Sequence, residues 1–193
     1  RGLNNGFSDA ANIGWKLGWF LNNKAGKGLL NSYSPERRGA TIDVFYNSSK
    51  SSKFMTPSTY GWKLMRDAAL SLALKHKFAG ELANPRQFIP YKYSKSTAIL
   101  KDTNQNFFGG PKPGELLPEI KIDAGYLTDL LGEGFTIFCF NKDTAKKLEE
   151  IIPDGVSVVI IDILSRTSKI MKAENKSAYL IRPDGYIAAR WKN

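Results

Sequence analysis

Two apolar segments with a helical segment between them constrain the fold of this 193-residue chain more than any other feature. Residues 135–140 (FTIFCF) and 156–161 (VSVVII) have the length and the β-branched or aromatic content of buried strands. Residues 143–152 between them have the pattern of an amphipathic helix. A strand, a helix and a strand in this order favour a parallel strand pair with a right-handed crossover.

The end of the chain has the pattern of a β-hairpin. Residues 178–182 and 186–190 are two short apolar segments, and Pro183-Asp184-Gly185 between them is typical of a tight turn. The second half of the chain is therefore predicted to be a small α/β domain that ends in a hairpin.

The first half of the chain is predicted to be mostly helical. Apolar residues recur at helical spacing over 7–22, and Ser34-Pro35-Glu36 is a start signal for a helix that continues to about Phe54. Thr56-Pro57 repeats this signal for a helix over 57–77. Residues 88–94 alternate like a short strand, and Pro90 favours an edge position.

The charge distribution also divides the chain into two parts. Residues 1–106 contain 16 Lys and Arg against 6 Asp and Glu, a net charge of +10, whereas residues 107–193 contain 12 of each. The turn-rich segment 109–114 lies at this change. The basic residues are scattered and match no DNA- or RNA-binding motif, so a nucleic-acid partner is not predicted, although a basic nucleic-acid binder stays an alternative.

The cysteine and histidine counts restrict the chemistry. Cys139 is the single cysteine and His76 the single histidine, so an internal disulfide, a Cys-x-x-Cys redox pair and a multi-histidine metal site are excluded within one chain. Cys139 is expected to be a buried, inert thiol, and His76 to lie on a solvated helix face between two lysines. No apolar segment is long enough to span a membrane. An enzyme with this sequence would depend on a cofactor.

The first residues form a candidate binding segment. Gly2-Leu3-Asn4-Asn5-Gly6 precedes the first predicted helix, and glycines there let the backbone approach a ligand closely. The free N–H groups and the helix dipole suit an anionic oxygen or an electron-rich ring edge. From the residues alone, an ordinary Gly- and Asn-containing loop that caps a helix is the favoured interpretation, and a ligand-binding segment is the alternative.

Five segments resemble motifs of the para-hydroxybenzoate hydroxylase-like, FAD-dependent aromatic monooxygenases. Residues 2–17 resemble Gly-x-Asn-x-Gly-x-x-Asp-Ala-x-Asn-Leu-x-Trp-Lys-Leu, and 29–38 resemble Leu-Leu-x-x-Tyr-x-x-Glu-Arg-Arg. Residues 91–94 resemble the family's Tyr-x-Tyr-x-Ser strand, and 110–118 its interdomain joint. Residues 180–190 resemble the closing segment of the phenol hydroxylase-type members, which have a thioredoxin-like third domain.

The resemblance implies an α/β fold in two parts. Residues 1–106 would be the mostly helical carboxyl-terminal part of an FAD-binding and substrate domain, and residues 107–193 a small thioredoxin-like domain. The implied activity is hydroxylation of an aromatic small-molecule substrate with FAD, NAD(P)H and O2. The implied location is the cytoplasm, and a homodimer is a candidate assembly. The family's Gly-x-Gly-x-x-Gly segment and its Gly-Asp motif do not occur here, so we expect a carboxyl-terminal portion that alone binds FAD weakly and is inactive.

The resemblance also assigns residues to roles. Gly2, Leu3 and Asn4 would present backbone N–H groups to the pyrimidine edge of the isoalloxazine ring. Asp9 and Asn12 would instead hold the turn and the first helical turn. The catalytic side chains are expected outside this sequence, so none is assigned, and no metal is expected.

Other polar and aromatic segments have a structural interpretation. Glu36-Arg37-Arg38 could form a phosphate clamp, but a salt-bridge cluster that ties a helix to a sheet is the expected role. Residues 182–185 are expected to form mainly a turn. Five aromatic residues could line a ring pocket or pack in the core, and core packing is expected: Trp15, Trp19, Tyr33, Phe45 and Tyr46.

A non-enzymatic role is the alternative function. The chain would then be a stand-alone thioredoxin-like interaction or oligomerisation module that self-associates without flavin.

Overall fold

The computed structural model describes residues 2–83, 89–102, 107–123 and 125–192 and is a mixed helix and sheet structure. The helices are α1 (Gly2–Leu21), α2 (Lys27–Asn31), α3 (Tyr33–Met55), α4 (Tyr60–Ala73), α5 (Lys77–Ala83), α6 (Lys142–Glu149) and α7 (Arg166–Met171). The strands are β1 (Lys121–Ile122), β2 (Gly125–Tyr126), β3 (Phe135–Cys139), β4 (Val156–Ile160), β5 (Ala178–Ile181) and β6 (Ile187–Trp191). A short 3₁₀ helix spans Leu127–Leu130. No helix in the described ranges is both long and apolar enough to cross a bilayer.

The chain folds into two compact units. The first contains Arg1–Arg37 and Lys92–Asn193, and the second contains Arg38–Tyr91. This grouping places the start of the chain with its end. The division into two domains at residues 106 and 107, which is expected from the sequence, stays a prediction.

A four-stranded sheet in the order β4-β3-β5-β6 organises the first unit. Strands β3 and β4 are parallel, while β5 runs antiparallel to β3 and to β6. The predicted strand–helix–strand unit and the terminal hairpin are therefore confirmed. Asn141 begins α6 by accepting hydrogen bonds from the backbone N–H groups of Asp143 and Thr144, and Gly185 has the positive φ of +80° that the turn requires.

Both faces of this sheet are covered. One face is packed by the larger cluster of buried side chains, with Phe138, Tyr179 and Met171 fully enclosed. The other face is packed by α6 through Ala145, against Ile137 and Cys139. Side chains alternate between the faces of a strand, so neighbouring residues of β3 enter different clusters.

Several helix boundaries differ from the prediction. Helix α1 begins at Gly2, and the Gly- and Asn-containing segment expected as a loop is helical. Glycine and asparagine have low helix propensity, but the segment contains no proline to break the helix. Helix α4 begins after Thr59, whose side chain accepts a hydrogen bond from the Trp62 N–H group, so Thr56-Pro57 is not its cap.

The strand predicted over 88–94 is not found in its described part, residues 89–94; Phe88 lies outside the described residues. Pro90 has no N–H to donate. The Tyr93 N–H donates to the Gly114 carbonyl at 2.8 Å, and a turn follows in which Ser96 N–H donates to the Tyr93 carbonyl. Among the residues that the structure describes, the single hydrogen bond to Gly114 is not followed by the further backbone hydrogen bonds that a paired strand requires.

Candidate functional site

The predicted flavin contacts lie in the first turn of α1. Gly2, Leu3 and Asn4 are all exposed, and no acidic residue occurs in this turn. The first N–H groups of an α-helix have no acceptor within the helix, so these three residues present free donors although they are helical rather than in a loop. Their role as flavin contacts stays a prediction.

A buried ionic cluster centred on Glu36 lies in the first unit. Arg182 donates two hydrogen bonds to the Glu36 carboxylate, at 2.8 Å to Oε1 and 3.0 Å to Oε2. Lys16 donates from Nζ to Oε2 at 2.8 Å. The side chains of all three residues are at most 1% exposed.

Asp184 is the second carboxylate of the cluster. It accepts hydrogen bonds from Arg182 at 2.9 Å from Nε and 2.6 Å from Nη2. Asn12 donates to both carboxylates, at 2.7 Å to Glu36 and 3.1 Å to Asp184. Ser96 also donates to Glu36. The two cations and two carboxylates cancel in charge, which is the arrangement that makes burial of charge tolerable.

The electrostatics keep Glu36 ionised. Burial opposes its ionisation, but the hydrogen bonds and charge of Arg182, helped by Lys16 and Ser96, outweigh burial and lower the pKa of Glu36 to about 2. Burial lowers the pKa of Lys16, and the contact with Glu36 offsets this only in part. The pKa of Arg182 is raised because its two carboxylate partners outweigh burial.

Aromatic rings enclose the Arg182 guanidinium. Its central carbon lies 5.1 Å from the Trp15 ring centroid, 5.3 Å from Tyr93 and 5.7 Å from Tyr186. Tyr93 and Tyr186 stack on one another with their centroids 4.2 Å apart. Such rings attract a cation and also exclude water from its ion pairs.

Arg37 forms a second group of polar contacts beside the Glu36 cluster. It donates to Asp9 at 2.5 Å and to the Tyr93 hydroxyl at 2.9 Å. Arg38, the next residue, is exposed. The expected salt-bridge cluster of this segment is thus confirmed for Glu36 and Arg37, and Asp9 contributes by pairing with Arg37 rather than by closing a turn.

The glycine-rich joint is attached to the same region through its backbone. Gly114 has φ +86°, and its carbonyl accepts from Tyr93 N–H while its own N–H donates to the Ile187 carbonyl, each at 2.8 Å. A Cβ atom at Gly114 would lie 3.0 Å from backbone atoms of Tyr93 and Ser94. Apart from Arg38 and Tyr91, which belong to the second unit, the residues of the five segments that carry the family resemblance lie in the first unit.

The partners of Glu36 were not predicted. Residues 182–185 do form a turn, but the sequence did not reveal that Arg182 is fully buried and holds α1 and α3 to the hairpin. A signal was present in Asn12 and Lys16: they are polar and lie four residues apart on the same face of an amphipathic helix.

The remaining candidates have separate positions. Trp15 and Trp19 are half-buried and pack edge-on against Phe135, at 5.4 and 4.9 Å, but neither belongs to the buried core clusters. The prediction is wrong for Phe45 and Tyr46, which are 63% and 70% exposed in the second unit. Tyr33 is half-buried.

The cysteine and histidine predictions are largely confirmed. Cys139 is fully buried and unpaired, and burial raises the pKa of its thiol to about 11. His76 is exposed, but it lies between α4 and α5 rather than on a helix. Across the described ranges, no group of three potential ligands is placed to hold a metal ion.

Comparison with known proteins agrees with these motifs. Residues 1–48 match the family model of an FAD binding domain. Rifampicin monooxygenase of Rhodococcus hoagii is 30% identical over 189 residues, which cover 97% of this chain and 35% of that protein. A 3-(3-hydroxy-phenyl)propionate/3-hydroxycinnamic acid hydroxylase of Mycolicibacterium vanbaalenii is 28% identical over 74% of this chain and 26% of its own length.

A solved structure shows the same fold. The flavin-dependent monooxygenase PieE, crystallised with FAD and substrate, has a TM-score of 0.72 over all of this chain and 42% of its own, at 20% identity. The chain thus spans about a quarter to two fifths of the length of these three proteins. Together, the comparisons show that the chain is related to the FAD-dependent aromatic monooxygenases and that residues 1–48 match the family model of an FAD binding domain.

Proposed function

We propose that this chain forms part of a flavoprotein monooxygenase that hydroxylates an aromatic substrate with FAD, NAD(P)H and O2. The observation that carries the proposal is the match of residues 1–48 to an FAD binding domain, which includes the turn of free N–H donors at Gly2, Leu3 and Asn4. The names of the relatives support hydroxylation as the reaction class.

The donor set at the start of α1 fits the edge of a flavin ring. Three exposed backbone N–H groups and no acidic side chain suit an acceptor-rich ring. FAD, when bound, would supply the redox chemistry for a hydroxylation that consumes NAD(P)H and O2. Gly2, Leu3 and Asn4 would donate to the pyrimidine edge, and the dipole of the 20-residue helix α1 would stabilise negative charge there.

The ionic cluster would act by orienting α1. Asn12 and Lys16 lie on the helix that carries the three donors, and Glu36 holds both side chains. A catalytic site needs its donors held within a fraction of an ångström, which a packed and hydrogen-bonded support provides. The cluster residues would therefore be positioning residues.

A titration of the isotope-labelled 193-residue chain with FAD tests the proposed contact by NMR. We expect weak binding, since no Gly-x-Gly-x-x-Gly turn occurs in this sequence to hold the pyrophosphate. The amide signals of Gly2, Leu3 and Asn4 should shift most. We also expect the chain alone not to oxidise NAD(P)H in the presence of FAD and aromatic substrates.

A matched pair of variants at Leu3 makes the test specific. Leu3→Pro removes one N–H donor in the first turn, where proline is compatible with a helix, and Leu3→Ala keeps the donor. We expect only Leu3→Pro to weaken FAD binding, by about fivefold for one hydrogen bond. Equal affinities for the two variants, or shifts elsewhere, would overturn the contact. Tight stoichiometric retention of FAD would contradict the expectation of weak binding.

We further propose that residues 107–193 form a thioredoxin-like domain beside a helical part at 1–106. The parallel pair β3–β4 with its crossover helix α6, followed by α7 and the hairpin β5–β6, supports this assignment. The domain would have no thiol–disulfide activity, because Cys139 is the single cysteine of the chain. A cytoplasmic location stays a prediction.

Self-association is the second candidate function, and one observation favours it. Strand β4 pairs only with β3 in the described residues, so the outer side of β4 presents free backbone groups. The Gly155 carbonyl and the Ile161 N–H group form hydrogen bonds with the residues of β3 or its ends. Backbone groups alternate in direction along a strand, so the N–H group of Val158, three residues from each, points away from β3. We expect Val158→Pro, but not Val158→Ala, to abolish association of the full chain in sedimentation without flavin. A monomer at high concentration would exclude this function.

A further inference from the structure

A basic cavity lies in the first unit, among residues outside the Glu36 cluster. Its volume is about 430 Å³, within the range of small-molecule sites. It is lined by charged, aromatic and aliphatic side chains, among them Phe108, Ile163, Lys169, Lys172, Glu174 and Lys192. None of these residues belongs to the five segments that resemble the flavoprotein family.

The cavity has an excess of positive charge. Lys192 pairs with Glu174 at 2.6 Å. Lys169 and Lys172 are both exposed, and neither has a carboxylate within ion-pair distance in the part of the chain that the structure describes. Two ammonium groups at one cavity are therefore available to an anion.

An exposed aromatic ring stands at the same cavity. Phe108 is 80% exposed, while its neighbour Phe107 is 5% exposed and packs edge-on against Tyr179. An exposed phenylalanine leaves apolar area in contact with water, which binding of a second ring would remove.

Hydrogen bonds hold the backbone on both sides of Phe108. Buried Arg190 donates to the carbonyl groups of Gly109 at 2.7 Å, Pro111 at 3.1 Å and Phe107 at 3.3 Å. Its guanidinium also lies 4.3 Å from the Phe107 ring centroid. Gly109 has φ +77°, and a Cβ there would lie 3.2 Å from Cγ of Lys172, so the loop lies directly against this lysine. A backbone segment held in place loses little conformational entropy when a ligand binds to it.

We propose that this cavity binds a small aromatic carboxylate. The ring of the ligand lies against Phe108 and the aliphatic side chain of Ile163, and its carboxylate accepts hydrogen bonds from the ammonium groups of Lys169 and Lys172. Charge-assisted hydrogen bonds select the anion, and the phenylalanine selects a planar ring. The inference does not depend on the flavin proposal, because no residue in it contacts the first turn of α1.

Three small probes separate the two selective contacts. The full 193-residue chain, isotope-labelled and at low ionic strength, is titrated with benzoate, with benzamide and with cyclohexanecarboxylate. We expect benzoate to shift the amide signals around Phe108, Lys169 and Lys172. Benzamide should bind about tenfold more weakly than benzoate because it has no negative charge. Cyclohexanecarboxylate should bind about fivefold more weakly than benzoate because its ring is not planar.

Variants with matched controls assign the contacts. Phe108→Leu should weaken benzoate binding about fivefold and leave the binding of cyclohexanecarboxylate unchanged. Lys172→Gln should lower the affinity for benzoate until it is close to the affinity for benzamide. Phe78→Leu and Lys63→Gln change exposed residues of the second unit and should have no effect. Equal binding of benzoate and benzamide, shifts confined to other residues, or unchanged affinity in Phe108→Leu would each overturn the proposal.

Discussion

Glu36 and Arg182 are 146 positions apart in the sequence, and their side chains form two parallel hydrogen bonds of 2.8 and 3.0 Å. Both side chains are at most 1% exposed. This bidentate pair joins the first turn of α3 to the terminal hairpin, and through Lys16 it also holds α1. It is the central contact of the first unit.

Replacement of Glu36 by glutamine should destabilise the protein strongly. Glu36→Gln keeps the shape of the side chain but leaves Lys16 and Arg182 with one carboxylate between them in a buried site. Breaking a buried ion pair on one side costs about 3–5 kcal/mol. Urea unfolding followed by circular dichroism measures the change. Glu133→Gln, at an exposed position, is the control and should change the free energy of unfolding by less than about 0.5 kcal/mol.

The stability of the protein should decrease in acid through Glu36. Its pKa is about 2 in the folded protein and 4.5 in the reference state, so between these values the unfolded chain binds more protons. The stabilising contribution is complete above pH 4.5 and is lost as the pH falls towards 2, a change of about 3 kcal/mol. Urea unfolding at a series of pH values should give a shallower acid slope for Glu36→Gln. Equal slopes would contradict this assignment.

The Cys139 thiol should be unreactive in the folded protein. It is fully buried in β3, and burial raises its pKa to about 11, so little thiolate forms near neutral pH. A disulfide reagent such as dithiobis(nitrobenzoate) should label one thiol rapidly in urea and only at the rate of unfolding in buffer. Rapid labelling in buffer would show that β3 is accessible.

Two glycines with similar backbone angles should respond differently to alanine. Gly114 and Gly185 have φ of +86° and +80°, so alanine is strained at both. An added Cβ at Gly114 meets backbone 3.0 Å away, whereas at Gly185 it meets only a Leu116 methyl at 3.5 Å. We expect Gly185→Ala to cost about 1 kcal/mol and Gly114→Ala about 2–3 kcal/mol in urea unfolding. Equal costs would contradict a steric role for Gly114.

The parts of the fold that depend on local sequence were predictable. Strands β3 and β4 follow from continuous apolar segments, and the hairpin follows from Pro183-Asp184-Gly185. The start of α1 was not, because residue propensities do not show that a helix continues through glycine and asparagine when nothing interrupts it. The strand expected near Tyr93 failed because alternation of residue types does not supply a neighbouring strand.

The candidate sites depend on contacts that are distant in sequence. That Glu36 would lie in a salt bridge was predictable from the two arginines that follow it, but the choice of Arg182 as partner depends on how the sheet places the hairpin. Likewise, Phe108 and Lys172 are brought to one cavity by a loop held by Arg190. Such distant pairings are set by tertiary packing, which single-sequence patterns do not contain.

The balanced charges at Lys16, Glu36, Arg182 and Asp184 also restrict how this sequence can diverge. A single replacement that changes charge leaves an uncompensated ion inside the protein, whereas paired replacement of both members by apolar residues costs little. Substitutions at these four positions should therefore occur together among related sequences. A protein that lost Arg182 would be expected to have changed Glu36 in the same lineage.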